Sequence, residues 1–104
     1  MLAQQTEQKL ESGVTIVMPT YNHAQYIADA LDSVFNQALL PVRVLVLDDA
    51  STDDTADVVR PYLGREPHVE YQRMTPNRGV IKMLNIGLDL VTTEYVVFLA
   101  ADDM

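Results

Sequence analysis

The sequence contains no cysteine. A disulfide scaffold, a zinc–thiolate centre and a thiol nucleophile are excluded by that absence alone. Basic residues are scarce: seven Lys and Arg stand against fifteen Asp and Glu, for a formal net charge of −8. Nucleic acid and anionic membrane surfaces recruit clustered Lys and Arg, so both are disfavoured as partners. No apolar run approaches the roughly 20 residues of a membrane span. The amino terminus, MLAQQTEQKLES, lacks the regions of a secretory signal peptide. A cytoplasmic location is expected, with a peripheral position at the inner membrane face left open. Glycine is also sparse, at four residues, and neither G-x-G-x-x-G nor G-x-x-x-x-G-K-[ST] occurs. Phosphates held here would need something other than a Gly-rich cradle, and a metal is the remaining candidate.

What is present fits one compact α/β unit. The 104 residues are 48% hydrophobic and 21% charged, which is ordinary globular composition. Residues 1–13 read as a flexible tail, and regular alternation begins at Val14. Val14 to Met18 (VTIVM) is a β-branched run stopped by Pro19. Asn22 with Gln25 forms a capping-box pattern, and Ile27, Ala30, Leu31, Val34 and Phe35 follow as one helical stripe. Val42 to Leu47 is a second strand, apolar on both faces as suits the interior of a parallel sheet.

Ser51 and Thr52 are positioned to cap a second helix with Asp53 and Asp54 in its first turn. Its inner face would be Val58, Val59, Tyr62 and Leu63. His68 to Gln72 is a weaker, alternating strand, nearer an edge. Asn77 opens a third helix reaching about Val91, with Ile81, Leu84, Leu88 and Val91 facing inward. Tyr95 to Ala101 is a fourth, strongly apolar strand. The order βαβαβαβ, with helices of roughly 11 to 15 residues, predicts a Rossmann-like three-layer α/β/α unit with a mostly parallel four-stranded sheet.

Ligands of open α/β sheets bind beyond the carboxyl ends of the strands, where strand order reverses. Strand order 3-2-1-4 would bring three polar clusters to that point. These are Pro19-Thr20-Tyr21-Asn22-His23, Asp48-Asp49-Ala50-Ser51-Thr52 and Asp102-Asp103. Asp102 or Asp103 could hold Mg2+ or Mn2+, hard cations that take carboxylate and phosphate oxygens. Asp48 or Asp49 would suit N–H or hydroxyl donors of a base or sugar, and Tyr21 offers a ring face. Each cluster alone also fits a plainer role, as a turn, a helix cap or a polar strand end. The same holds for His23 and His68, for Arg78 and Lys82 as exposed charges, and for Asn85 as a buried amide.

In this succession the residues resemble glycosyltransferase family 2, of the GT-A fold. The matching elements are Pro19-Thr20-Tyr21-Asn22 after an apolar strand, Ser33 to Gln37, and Asp48-Asp49-Ala50-Ser51-Thr52-Asp53. Asn77-Arg78-Gly79, Asn85-Ile86-Gly87 and Glu94 to Asp103 complete the series. The resemblance spans residues 14–104 and implies the amino-terminal, nucleotide-sugar-binding part of a truncated GT-A domain. It implies that Pro19, Tyr21, Asn22, Asp48, Asp49 and Asp102 bind the donor, a UDP-sugar above others. Tyr21 would meet the base face and Asp49 its edge. It further implies a divalent metal, Mn2+ or Mg2+, at Asp102; Ala100 at the first D-x-D position removes one carboxylate, for which Asp103 could compensate as a second metal ligand. The family's catalytic base and acceptor site would lie beyond residue 104, leaving this chain an inactive portion of an inverting hexosyltransferase.

A non-catalytic α/β module that binds a nucleotide or a partner remains an alternative. A response-regulator type of phospho-acceptor domain would need its acidic pair after strand one and a lysine after a late strand, and the sequence has neither. An unpaired outer face on strand four would favour self-association.

Overall fold

A computed structural model describes residues 11–37, 40–65 and 68–100. Four strands form one parallel sheet: β1 (Glu11–Thr20), β2 (Arg43–Asp48), β3 (His68–Arg73) and β4 (Thr93–Phe98), in the order β3-β2-β1-β4. This is the predicted order. β1 begins three residues before Val14, where Glu11 pairs with Thr93.

Alternation along the two central strands sorts their side chains between two cores. Ile16 and Met18 of β1, with Val44 and Val46 of β2, pack under α1 (Ala24–Phe35) against its buried Ile27, Ala30, Leu31 and Val34. The predicted stripe of this helix is therefore the one the fold uses. Val17, Leu45 and Leu47 face the other way and pack with Met83 of α3 (Val80–Leu90). Two helical layers on opposite faces follow from those two sets.

The predicted second helix is shorter in the structure. α2 spans only Thr55–Val59 and continues as a 3-10 turn over Arg60–Tyr62. Pro61 has no N–H with which to extend the α-helical ladder, which accounts for the change. Ser51 and Thr52 lie in the loop before it and do not cap it. Val59 and Tyr62 are buried, whereas Leu63 is exposed.

α3 differs more. Met83 and Gly87 form its buried face, while Ile81 and Leu88 are exposed and Leu84 and Val91 half-buried. Lys82, Asn85 and Asp89 recur at i, i+3 and i+7 and mark one polar side, roughly opposite Met83 and Gly87, but the apolar residues on the remaining sides leave the centre of the buried face unset. Gly87 sets it: a Cβ there would lie 2.6 Å from Val17 Cγ1, so the backbone approaches the sheet closest where no side chain intervenes. Asn85 is exposed, not a buried amide.

Crossovers through α1 and α2 build the sheet from β1 outward to β3, and the α3 crossover returns to the far side of β1. The direction of winding reverses between β1 and β4, and the site lies at their carboxyl ends. Among the described residues no helix is long and apolar enough to cross a membrane.

Candidate functional site

A cleft of about 370 Å³ opens at the carboxyl ends of β1, β2 and β4. Pro19, Thr20, Tyr21 and His23 form one wall; Asp49 and Asn77 lie at its base; Gly79, Val80 and Met83 bring in the start of α3; and Ala100 follows β4. Of the sequence-predicted residues, Pro19, Tyr21 and Asp49 line this cleft together. Asn22 and Asp48 do not. Asp102 and Asp103 lie outside the described residues.

The wall is ordered by its own polar groups. The Tyr21 N–H faces His23 Nδ1 at 3.4 Å, a long contact. The Thr20 hydroxyl is hydrogen-bonded to the same nitrogen at 2.9 Å, with the direction set by the imidazole tautomer. His23 is thus half-buried and part of the turn, rather than a merely exposed helix-start residue. Tyr21 is 46% exposed at the mouth of the cleft.

Asn22 has a positive φ of 54° and stands outside α1, so the capping-box pattern is not realised. Its N–H donates to Ser51 Oγ at 2.8 Å, and its side-chain oxygen accepts from the Thr52 N–H at 2.8 Å. This stitches the loop after β1 to the loop after β2. Asp53 continues the seam, accepting from the Ala24 N–H at 3.1 Å and the Thr55 N–H at 3.0 Å. Burial alone would raise the Asp53 pKa. The bonds from the Thr55 hydroxyl and from the Ala24 and Thr55 N–H groups outweigh it and hold the carboxyl below its usual range.

The two adjacent carboxylates have different partners. Asp48 is 1% exposed, and its oxygens accept from the Ser51 N–H at 2.9 Å and from the Tyr71 hydroxyl. Burial, then this bond and the Asp48 charge, push the Tyr71 phenol well above its ordinary value. Asp48 is thereby a buried support of the β2–β3 pair. Asp49 accepts from the Arg78 N–H at 2.5 Å and the Gly79 N–H at 2.8 Å, just before α3. A carboxylate suits that helix end, where the dipole is positive. Gly79 has a φ of 86°, a conformation glycine adopts freely.

Asn77, expected as a helix cap, instead donates its side-chain amide to the Asp49 carbonyl at 3.0 Å. Sequence reasoning placed Thr20 and His23 in the cluster after β1, and the cleft includes both; it missed Asn77, Val80 and Met83 as parts of the cleft. The Asn77-Arg78-Gly79 element carried a signal for the first of α3's contacts, but nothing local marked Met83.

Metal-binding chemistry is thin in this part of the cleft. Among the described residues no group of three or more His, Asp or Glu is arranged to hold a metal ion. Asp49 is the one carboxylate lining the cleft there, and both its oxygens already accept N–H bonds. Ala100 supplies no ligand.

The sequence matches the family model described as "Glycosyl transferase family 2" over residues 15–104. An uncharacterized glycosyltransferase of Haemophilus influenzae is 29% identical over 90 residues, covering 86% of this chain and 36% of its own length. Among solved structures, the mannosyltransferase PcManGT of Pyrobaculum calidifontis, in complex with GDP-Man and Mn2+, superposes with a TM-score of 0.77. It shares 31% identity across 96% of this chain and 32% of its own. Staphylococcus aureus TarS 1-349 in complex with UDP-GlcNAc gives a TM-score of 0.77 at 32% identity, across 86% of this chain and 26% of its own. The chain therefore spans about a third or less of the length of these relatives.

Proposed function

Because the chain belongs to glycosyl transferase family 2, we propose that its cleft is the donor site of an inverting glycosyltransferase. The donor is a nucleoside-diphosphate sugar, a UDP-sugar in first place, and the sugar passes to an acceptor hydroxyl. The observation that carries this reading is the convergence of Pro19, Tyr21 and Asp49 on one cleft where the sheet reverses its winding. Bound GDP-Man and UDP-GlcNAc in the two similar structures support the ligand class.

In this reading the exposed Tyr21 ring packs on the base. Asp49 keeps acceptor capacity beyond its two backbone bonds, since a carboxylate offers about four lone-pair sites. That capacity suits an N–H on the base edge. Pro19 shapes the wall, while Asn22 and Asp48 act from behind it by fixing the two loops. Asp102 and Asp103 are the proposed ligands of a divalent metal, Mn2+ or Mg2+, which would neutralise a leaving diphosphate. Deprotonation of the acceptor needs a positioned base. No described residue of the cleft is free for that role, so the base is assigned to sequence beyond residue 104 and residues 1–104 alone are inactive. The proposed location is cytoplasmic.

One observation favours a second reading. Ala100 lines the cleft where the D-x-D pattern would bring a carboxylate, as suits a nucleotide- or partner-binding module without catalysis. Calorimetric titration with UDP, GDP and UDP-sugars, with and without Mn2+, separates the two. Binding that strengthens with Mn2+ and weakens about threefold to tenfold in Tyr21→Ala supports the donor site. Metal-independent nucleotide binding supports the module in its nucleotide-binding form, and a folded chain that binds no nucleoside diphosphate overturns the donor site and favours a partner-binding module.

A further inference from the structure

The residues that line the cleft stand at two depths. Tyr21 and Val80 are exposed and form its mouth. Thr20, Asp49 and Met83 are 3%, 6% and 1% exposed and form its floor. Asp49 gives that floor an acceptor, and Met83 gives it an apolar stop. Met83 belongs both to the cleft and to the core, where it packs with Val17, Leu45 and Leu47. Its side chain has little room to withdraw, because protein interiors are close-packed. The helix that carries it is also held in place, since the Gly87 backbone one turn on meets Val17 of β1.

We infer that Met83 sets the size of the nucleobase and restricts the donor to pyrimidines. This rests on the donor-site reading, in which the base lies against Tyr21 with a ring N–H directed at Asp49. That hydrogen bond alone does not separate bases by size. Uracil, hypoxanthine and guanine each present a ring N–H beside a carbonyl, so a carboxylate acceptor suits all three. Cytosine and adenine lack that hydrogen and are disfavoured by Asp49 whatever their size. A purine bonded to Asp49 in the same way carries a second, fused ring. On a floor shared by Asp49 and Met83, that ring meets the Met83 side chain. Either the bond to Asp49 is given up or the packing beneath β1 is displaced, and forcing extra atoms into a packed core is unfavourable. Asp49 thus selects for the ring hydrogen and Met83 selects against the second ring, which together leave uracil.

Inosine diphosphate isolates the part played by Met83, because hypoxanthine keeps the ring N–H of uracil and adds a ring. Calorimetric titration of the chain with UDP and inosine diphosphate, at one fixed Mn2+ concentration, tests the inference. UDP is expected to bind at least about tenfold more tightly. Met83→Ala opens the floor and should move the ratio of the two affinities about tenfold toward inosine diphosphate, while CDP and ADP stay weak. Val80→Ala, at the mouth, should leave the ratio within about twofold of the original. Met83→Ala also removes core packing. Should it fail to fold, Met83→Val takes its place, with a smaller shift expected in the same direction. Equal binding of UDP and inosine diphosphate by the unaltered chain overturns the inference and leaves the donor site standing. So does a folded Met83 variant whose ratio is unchanged, or an equal shift in Val80→Ala. A folded chain that binds no nucleoside diphosphate overturns the donor site itself, and this inference with it.

Discussion

The two flanks of the sheet are built to opposite rules. On the β3 side, α1 and α2 cover the strands, and Val44, Val46, Val59 and Val69 are at most 2% exposed. Arg43 holds Glu70 through two bonds of 3.0 and 3.1 Å, and Phe35 stacks on Tyr62 with Arg65 over both rings. On the β4 side the residues are no less apolar, yet Ile81, Leu88, Tyr95 and Val97 stand in solvent. Hydrophobic character thus marks what a segment can bury, and only the neighbouring layer decides what it does bury.

The largest effect that would break this contrast is a matched pair of truncations. Leu31→Ala in α1 removes a fully buried side chain and is expected to cost about 2–5 kcal/mol. Leu88→Ala in α3 removes one that is 50% exposed and should change stability by about 1 kcal/mol or less. Denaturant unfolding of both variants checks the difference. Equal losses would mean that the α3 face is covered in solution.

A smaller effect probes the β3 flank alone. Tyr71→Phe takes away the hydroxyl that Asp48 accepts, at an expected cost of about 1–2 kcal/mol. It also changes the response to alkali. Burial, with the Asp48 bond and charge, raises the Tyr71 pKa; burial and Asp32 push that of Tyr62 up to about 12. A raised phenol pKa stabilises the fold fully below the unfolded value of about 10, and that contribution is lost as pH climbs toward the folded value. Stability should therefore decline above about pH 10, and more gently in Tyr71→Phe. Thermal unfolding across that range measures it, and identical slopes would remove the phenol from the account.

How far the sequence disclosed this architecture depends on whether a signal is local. Pro19 after an apolar run, and the Ile27–Ala30–Leu31–Val34 stripe, identify β1 and α1 without help from the rest of the chain. The length of α2 turned on Pro61, a local signal outweighed in the reading by the apolar stripe around it. The buried face of α3 was legible only in part: the Lys82, Asn85 and Asp89 side marks what faces solvent, but Gly87 is placed at the contact only by meeting Val17, seventy residues earlier. The site divides in the same way. Carboxylates after β2 were evident, but Asp48 is taken by Tyr71 and Asp49 by the Arg78 and Gly79 N–H groups. Those partners are distant in sequence and set by tertiary packing.

The smallest expected effect sharpens the same contrast at the seam between α1 and α2. Asp53 accepts N–H bonds from the first residue of each helix, Ala24 and Thr55. Asp53→Ala should cost about 0.5–1 kcal/mol at neutral pH, the size of a lost helix cap. The sign of its pH dependence is fixed. The Asp53 pKa is lowered on folding, so its contribution is complete above the unfolded value of about 4 and fades as pH falls through the folded value. The original chain and the variant should accordingly converge in stability under acid. A gap that persists at low pH would assign the loss to packing of the loop instead of to the carboxylate. A gap that widens would mean that Asp53 is held in its protonated form, reversing the electrostatic reading of the seam that supports the Tyr21 wall of the cleft.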